Sequence, residues 1–281
     1  MSNNTNMEKQ TLQVPASKTQ HTIVSQEEWL SARKQLLLKE KELTHAYDKL
    51  RLERLALPWR AITKEYVFDG ANGQVSLADL FDGRSQLIIQ HFMFGPDWNE
   101  GCVGCSFGAD HAQAALVHLN NHDVSYVAVS RAPVEKIEAF KKRMGWSFPW
   151  VSSLNNDFNF DFNVSFRPED IVDGKVYYNY GMQPYGGEEA PGDSAFYKDE
   201  HGNIFHTYSS YARGGENQIS TYMILDTAPL GRNEGEGENL TSWVRHHDKY
   251  NSGGYVNGQG RYVPEKKDDS CCHKEEHTNE R

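Results

Sequence analysis

Apolar residues recur at seven-residue intervals near the start of the chain. Trp29, Leu36, Leu43, Leu50 and Leu57 form one stripe, and the four-step positions Arg33, Glu40 and Arg54 between them are polar. That spacing predicts a helix with a narrow apolar face. Ser25 and Glu28 have the Ser-x-x-Glu form of a capping box, and Pro58 stops the pattern, so residues 25–58 are expected as one amphipathic helix. Such a stripe either lies on the chain's own core or pairs with the same helix of a second copy, so a homodimer through it is one expectation. Residues 1–24 carry little to bury and are expected to be disordered.

From Trp59 the periodicity changes. Lys64 to Asp69 (KEYVFD) predicts a short strand, the following ANG a turn, and Ser76 with Asp79 a capped short helix running to Phe81. The run Leu87 to Phe94 (LIIQHFMF) is nearly all apolar, as in a strand covered on both faces. Helical spacing follows from about Cys105 to Asn121, with Ala112, Ala115, Leu116 and Leu119 facing inward. VSYVAVS at 124–130 is a second buried strand, and Pro133 opens a helix through Ile137, Phe140 and Met144 to Gly145. Alternating strand and helix with short connections implies a βαβ crossover and a parallel pair. DSAFYKDEHGNIFHTYS at 193–209 predicts a hairpin turning at Asp-Glu-His-Gly, and a last helix is expected over about 213–226. The aromatic cluster Trp146, Phe148, Trp150, Phe158, Phe160 and Phe162 fills a core or lines the wall of the site. Residues 231–281 turn to Gly, Asn, Glu and Lys and are expected to be an extension and flexible tail, ordered only around Trp243–Tyr250.

The net charge of −10 in 281 residues is spread widely, without the clustered basic footprint that a phosphate backbone requires, so nucleic acid is not an expected partner. Nowhere do about 18 apolar residues run together, and no membrane association is expected. Four cysteines are too few for a disulfide scaffold and suit a reducing, cytoplasmic setting. No Gly-x-Gly-x-x-Gly follows a strand and no Gly-x-Ser-x-Gly occurs, so no cofactor is expected.

The chemistry therefore centres on Cys102-Val-Gly-Cys105, where the first buried strand hands over to a helix. There the first sulfur meets the free amides of the helix start and is favoured as thiolate, and the second lies one turn in, placed to close a disulfide. On this reading Cys102 attacks and Cys105 resolves. Two other readings share the motif. Zinc needs about four ligands, which Asp110, His111, His206, His247 or the tail residues Cys271, Cys272 and His273 would have to complete. Alternatively the thiols only pack, and the domain is a binding or dimerisation module. His91, on the strand face opposite Gln90, either tunes a thiolate or is a hydrogen-bonded core residue. Arg131, at the end of the second strand, either stabilises a thiolate or anionic substrate or makes a loop salt bridge. His246, His247 and Asp248 read as a capped, solvated turn, because adjacent helical residues do not share a face.

The order strand, CxxC, helix, strand, helix, then proline and hairpin resembles the thioredoxin fold over about residues 60–228. SLADLFDGRSQLII, HFMFGPDW, SRAPVEKIEAF, RMGWSFPWVSS, FHTYSSYARG and RHHDKY are similar to a bacterial thioredoxin-like family of unknown function. The resemblance implies an α/β thioredoxin-like domain, placed at 59–230, with a central mixed sheet flanked by helices, a long N-terminal helix and a C-terminal extension. It implies a dithiol–disulfide site at Cys102 and Cys105 and a cis-proline facing it, for which Pro191 is the counterpart. Trp98, in HFMFGPDW, joins His91, Arg131 and Pro191 as a residue shaping that site. The resemblance supplies no substrate; the dithiol reading itself calls for a protein thiol or disulfide, or a small-molecule disulfide, as partner. SLADLF…LII and SFPWVSS are also similar to peroxiredoxins, whose peroxidatic cysteine follows Pro-x-x-x-Thr/Ser-x-x. Counting back from Cys102 gives Gly95 and Asn99, and from Cys105 gives Trp98 and Cys102, so that motif is missing.

Overall fold

Ser25 starts the first helix as expected. In a computed structural model, which describes residues 21–184, 186–232, 234, 243–257 and 260–264, its side chain accepts from Glu28 N–H while Glu28 reaches back to the Ser25 amide. Helix α1 (Gln26–Leu55) carries Trp29, Leu36, Leu43 and Leu50 exposed. The chain divides into two units, residues 1–57 and 58–281. No described helix is long and apolar enough to cross a membrane.

The second unit begins with β1 (Arg60–Ala61), then the hairpin β2 (Val67–Gly70) and β3 (Gly73–Ser76). Asp79 accepts from the Ser76 amide and hydroxyl, holding the single turn through Phe81. Next come β4 (Gln86–His91), α2 (Val103–Asn121), β5 (Val124–Ser130), α3 (Val134–Met144), β6 (Trp150–Ser152) and α4 (Phe158–Asp161). A small separate ribbon, β7 (Lys175–Tyr178) with β8 (Gly181–Pro184), precedes the main hairpin β9 (Gly192–Lys198) and β10 (Ile204–Tyr211). Asp199 shapes that hairpin's turn by accepting from the amides of His201 and Asn203.

The sheet order is β1-β10-β9-β4-β5-β6-β2-β3. β4, β5 and β6 are parallel, β9 lies antiparallel to β4, and β10 is antiparallel to β9. A βαβ crossover with an antiparallel hairpin laid on the other side of its first strand defines a thioredoxin-like fold, here widened by β6, β2 and β3 on one side and β1 on the other. Alternation along β4 sends Leu87 and Ile89 into one layer with Val127, Val129, Phe158 and Phe196. The opposite layer holds Phe92, Tyr126 and Ala128 beneath Ile137, Phe140 and Trp146.

Several expectations need correction. Helix α2 begins at Val103, two residues early, because Cys102 itself is its N-cap. Pro133 is the N-cap of α3, not its first helical residue. The expected helix at 213–226 is a 3₁₀ stretch, Ala212–Gln218, and then α5 (Ser220–Leu225), broken where Ile219 leaves helical geometry. The extension is more ordered than a tail over its described part. β11 (Tyr255–Val256) pairs with β12 (Tyr262–Val263), and Val244, Val256 and Tyr262 cluster with Val103 and Phe107 of α2 and Tyr222 of α5. Most of residues 1–24, and Cys271, Cys272 and His273, lie outside the described residues.

Candidate active site

The C-terminal end of β4, the start of α2 and the start of β9 meet at one edge of the sheet. His91 closes β4 opposite Gly192, the first residue of β9. The chain then crosses to α2 through Gly101, where an added Cβ would stand 2.6 Å from Phe92 Cε1 and 3.0 Å from Phe140 Cε1, so only glycine passes. Buried His246 donates from Nε2 to the Gly101 carbonyl at 2.9 Å and fixes this entry. The Cys102 amide donates to Met93 O at 2.9 Å.

Cys102 is thus set at the mouth of α2 with its sulfur turned back over the first turn. Cys105 N–H points at Cys102 Sγ at 3.5 Å, and Met93 N–H at Cys105 Sγ at 3.4 Å. Both cysteines are free thiols, each 5% exposed. The Cys105 thiol donates to Cys102, and this, with the amides of Cys105 and Gly104, holds the Cys102 pKa below its ordinary value against the opposing effect of burial. The same bond pushes Cys105 well above the ordinary range, and burial and the Cys102 charge add to it. The pair is therefore asymmetric, with one sulfur disposed to ionise and the other to keep its proton.

Cys102 and Cys105 both line a cavity of about 370 Å³, together with His91, Pro191 and Asp193. Asp193 pairs with Gln90 across the β4–β9 ladder, and Gln90 in turn donates to Cys105 O at 3.1 Å and accepts from Tyr126 OH at 2.7 Å. Burial raises the Asp193 carboxyl to about 7, and its charge contributes to the rise at Cys105. Asp193 was missed in the sequence, although it lies two residues beyond Pro191 at the start of a predicted strand.

The remaining candidates divide. Pro191 is on the cavity wall, but no peptide bond among the described residues is cis, so the implied cis-proline is not present. His91 also reaches the cavity. Its Nε2 is 2.8 Å from Ser194 Oγ, which leads through Ser209 (2.7 Å) to His206 (2.7 Å). Burial drives His91 down to about 3, so it is neutral at ordinary pH and cannot stabilise a thiolate as an imidazolium. Trp98 and Arg131 are not among the residues lining the cavity. Trp98 packs in the layer behind the cysteines, with the Arg261 guanidinium 4.1 Å from its ring. Arg131 makes the salt bridge instead, at 2.9 Å to buried Glu189, over the ring of Phe160.

The zinc candidates are occupied separately. Asp110 accepts from Trp146 Nε1 and pairs with His247, while His111 bonds Phe107 O and Thr221. No group of three His, Cys, Asp or Glu among the described residues is arranged to hold a metal. His246, read as part of a solvated turn, is buried because the extension folds back on Gly101.

Residues 18–250 match the model of a bacterial protein family of unknown function, DUF899. No curated protein matches the sequence. Among solved structures, a mutant of peroxiredoxin Q from Xanthomonas campestris is 14% identical, covering 57% of this chain and 90% of its own, with a TM-score of 0.40. The peroxidoxin BcpB of Mycobacterium tuberculosis is 13% identical over 59% of this chain and 95% of its own, with a TM-score of 0.39. At these scores the fold stands on its strand order and the site on its own residues.

Proposed function

The chain belongs to the DUF899 family, and we propose that it is a thiol–disulfide oxidoreductase, with Cys102 the nucleophile and Cys105 the resolving thiol. The observation that carries this reading is the asymmetric dithiol: Cys102 caps α2 and accepts the hydrogen bond of the Cys105 thiol, and both residues line one cavity. Cys102 thiolate attacks one sulfur of a substrate disulfide, forming a mixed disulfide and releasing the other half as thiolate. Cys105 then attacks Cys102 Sγ, expelling the second half. Its thiol must first lose a proton, and the Asp193 carboxylate, poised near neutrality in the same cavity, accepts it. Pro191 supplies a wall against which the substrate lies. Such a dithiol suits a reducing cytoplasm.

Alkylation by iodoacetamide, followed residue by residue by mass spectrometry from about pH 5 to about pH 10, tests this. Reaction at Cys102 with a midpoint well below the free-thiol value of about 8.5, while Cys105 stays inert, is the expected result. Equal reactivity at both, with midpoints at or above that value, refutes it.

A second role rests on α1. Its exposed Trp29, Leu36, Leu43 and Leu50 stripe suits pairing with a second copy into a homodimer. Sedimentation of the full chain and of a Leu36→Glu/Leu43→Glu variant tests it, and an unchanged monomer in both discards it.

A further inference from the structure

The surroundings of Cys102 restrict what can reach it. The extension crosses the start of α2 so closely that a Cβ on Gly260 would lie 3.0 Å from Cys102 Sγ, and Gly260 O takes the Val103 amide at 2.9 Å. Apolar contacts of Val244, Val256 and Tyr262 with Val103 and Phe107 anchor this strap. A disulfide between two proteins brings their Cα atoms within about 4.4–6.8 Å. On this side of Cys102 the chain's own backbone at Gly260 already lies against the sulfur.

The strap also forms part of the cavity wall, since Gly260 lines it beside Cys102. At about 370 Å³ the cavity lies at the small end of small-molecule sites, a volume that suits a compact ligand. Its walls are largely apolar, with Met93, Tyr126, Ile219 and Tyr222 contributing. Among the described residues no ion pair or hydrogen bond reaches the Asp193 carboxyl, while Arg213 and Glu216, which also line the cavity, pair with each other at 3.1 Å, so ionised Asp193 is the negative charge left to face the substrate. A cationic or neutral group there is favoured over an anionic one.

Resting on the dithiol reading above, we propose that the substrate is a low-molecular-weight organic disulfide, neutral or cationic and mainly apolar, and that the C-terminal strap excludes protein disulfides. The reaction balances as R–S–S–R plus the Cys102–Cys105 dithiol giving two R–SH and the Cys102–Cys105 disulfide. Two electrons pass to the substrate. One proton leaves with each thiol product, the one from Cys105 by way of Asp193.

The reduced full-length protein is mixed with cystamine (dicationic), bis(2-hydroxyethyl) disulfide (neutral), oxidised glutathione (anionic) or insulin. Oxidation of Cys102 is followed by acid quenching and mass spectrometry, and each rate is divided by that of dithiothreitol with the same probe. The expected order is cystamine and the hydroxyethyl disulfide first, oxidised glutathione about tenfold slower, and insulin about a hundredfold slower. Tyr262→Ala removes an apolar anchor of the strap without touching the cavity lining and is expected to raise the insulin rate at least about tenfold with little change for cystamine. In an Asp193→Asn/Cys105→Ser variant, which stops at the mixed disulfide, the preference for cystamine over oxidised glutathione disappears. Insulin reacting with the wild-type chain as fast as cystamine after normalisation overturns the proposal and leaves the dithiol reading standing. No reaction with any probe, in a protein whose thiols titrate fully once unfolded, overturns both.

Discussion

Replacing Asp193 by asparagine isolates a cost that the fold pays at neutral pH. The carboxyl is raised from 3.8 to about 7 by burial beside the cysteines. A folded-state pKa above the unfolded one means that between these values the folded chain holds a proton that the unfolded chain has lost. Stability therefore falls as pH rises from about 4 and reaches its full penalty above about 7. Three units at about 1.4 kcal/mol each set a ceiling of about 4 kcal/mol. The carboxyl borders a cavity that water enters, which reduces the effective figure to roughly 2 kcal/mol. Cys102, Cys105, His91, Arg213 and Glu216 line the same cavity and are retained in the variant, so the difference between the two proteins reports Asp193. Urea unfolding of reduced wild type and Asp193→Asn at pH 5 and pH 8 measures it. Asparagine has no pH-dependent charge, and part of the penalty is already present at pH 5, so the variant is expected to gain about 1 kcal/mol relative to wild type on going from the lower to the higher pH. Parallel profiles would refute the buried, unpaired carboxyl and with it the proton acceptor for Cys105.

Arg131→Ala strands Glu189 in the interior and is expected to cost about 3–5 kcal/mol at pH 8, measured by thermal unfolding, while Cys102 alkylation keeps its pH profile. The loss should shrink toward pH 5, because Glu189, already raised to about 7, takes up a proton there. Gly101→Ala brings a methyl into Phe92 and Phe140 and is expected to destabilise by about 1–3 kcal/mol and to shift Cys102 alkylation to higher pH as the entry to α2 moves. His246→Ala leaves Gly101 O without its donor, with an expected loss of about 1–3 kcal/mol and a slower Cys102 reaction.

Local chemistry made much of this site legible. The Ser25 and Ser76 caps, the apolar run of β4 and the alternation of strand and helix are each written in neighbouring residues, and they suffice to place Cys102 at a helix start. What escaped depends on partners far along the chain. The 251–264 stretch is rich in Gly and polar residues, and the short strands within it are held by Val256 and Tyr262 meeting Val103 and Phe107. The fate of Arg131 is decided by Glu189, 58 residues away. Asp193 reads as an ordinary polar residue of a half-buried strand, and only the closure of the 3₁₀ segment over β9 makes it a desolvated carboxyl.

The chemistry proposed for this cavity requires Cys102 and Cys105 to form one redox couple. The full-length protein can be equilibrated in dithiothreitol buffers of graded potential and the free thiols counted at each residue by mass spectrometry. Cys102 and Cys105 are expected to lose their thiols together, as a reversible two-electron couple with a single midpoint, and Cys102→Ser to abolish the transition. Thiols that stay reduced across the series, or that oxidise independently of each other, would contradict it.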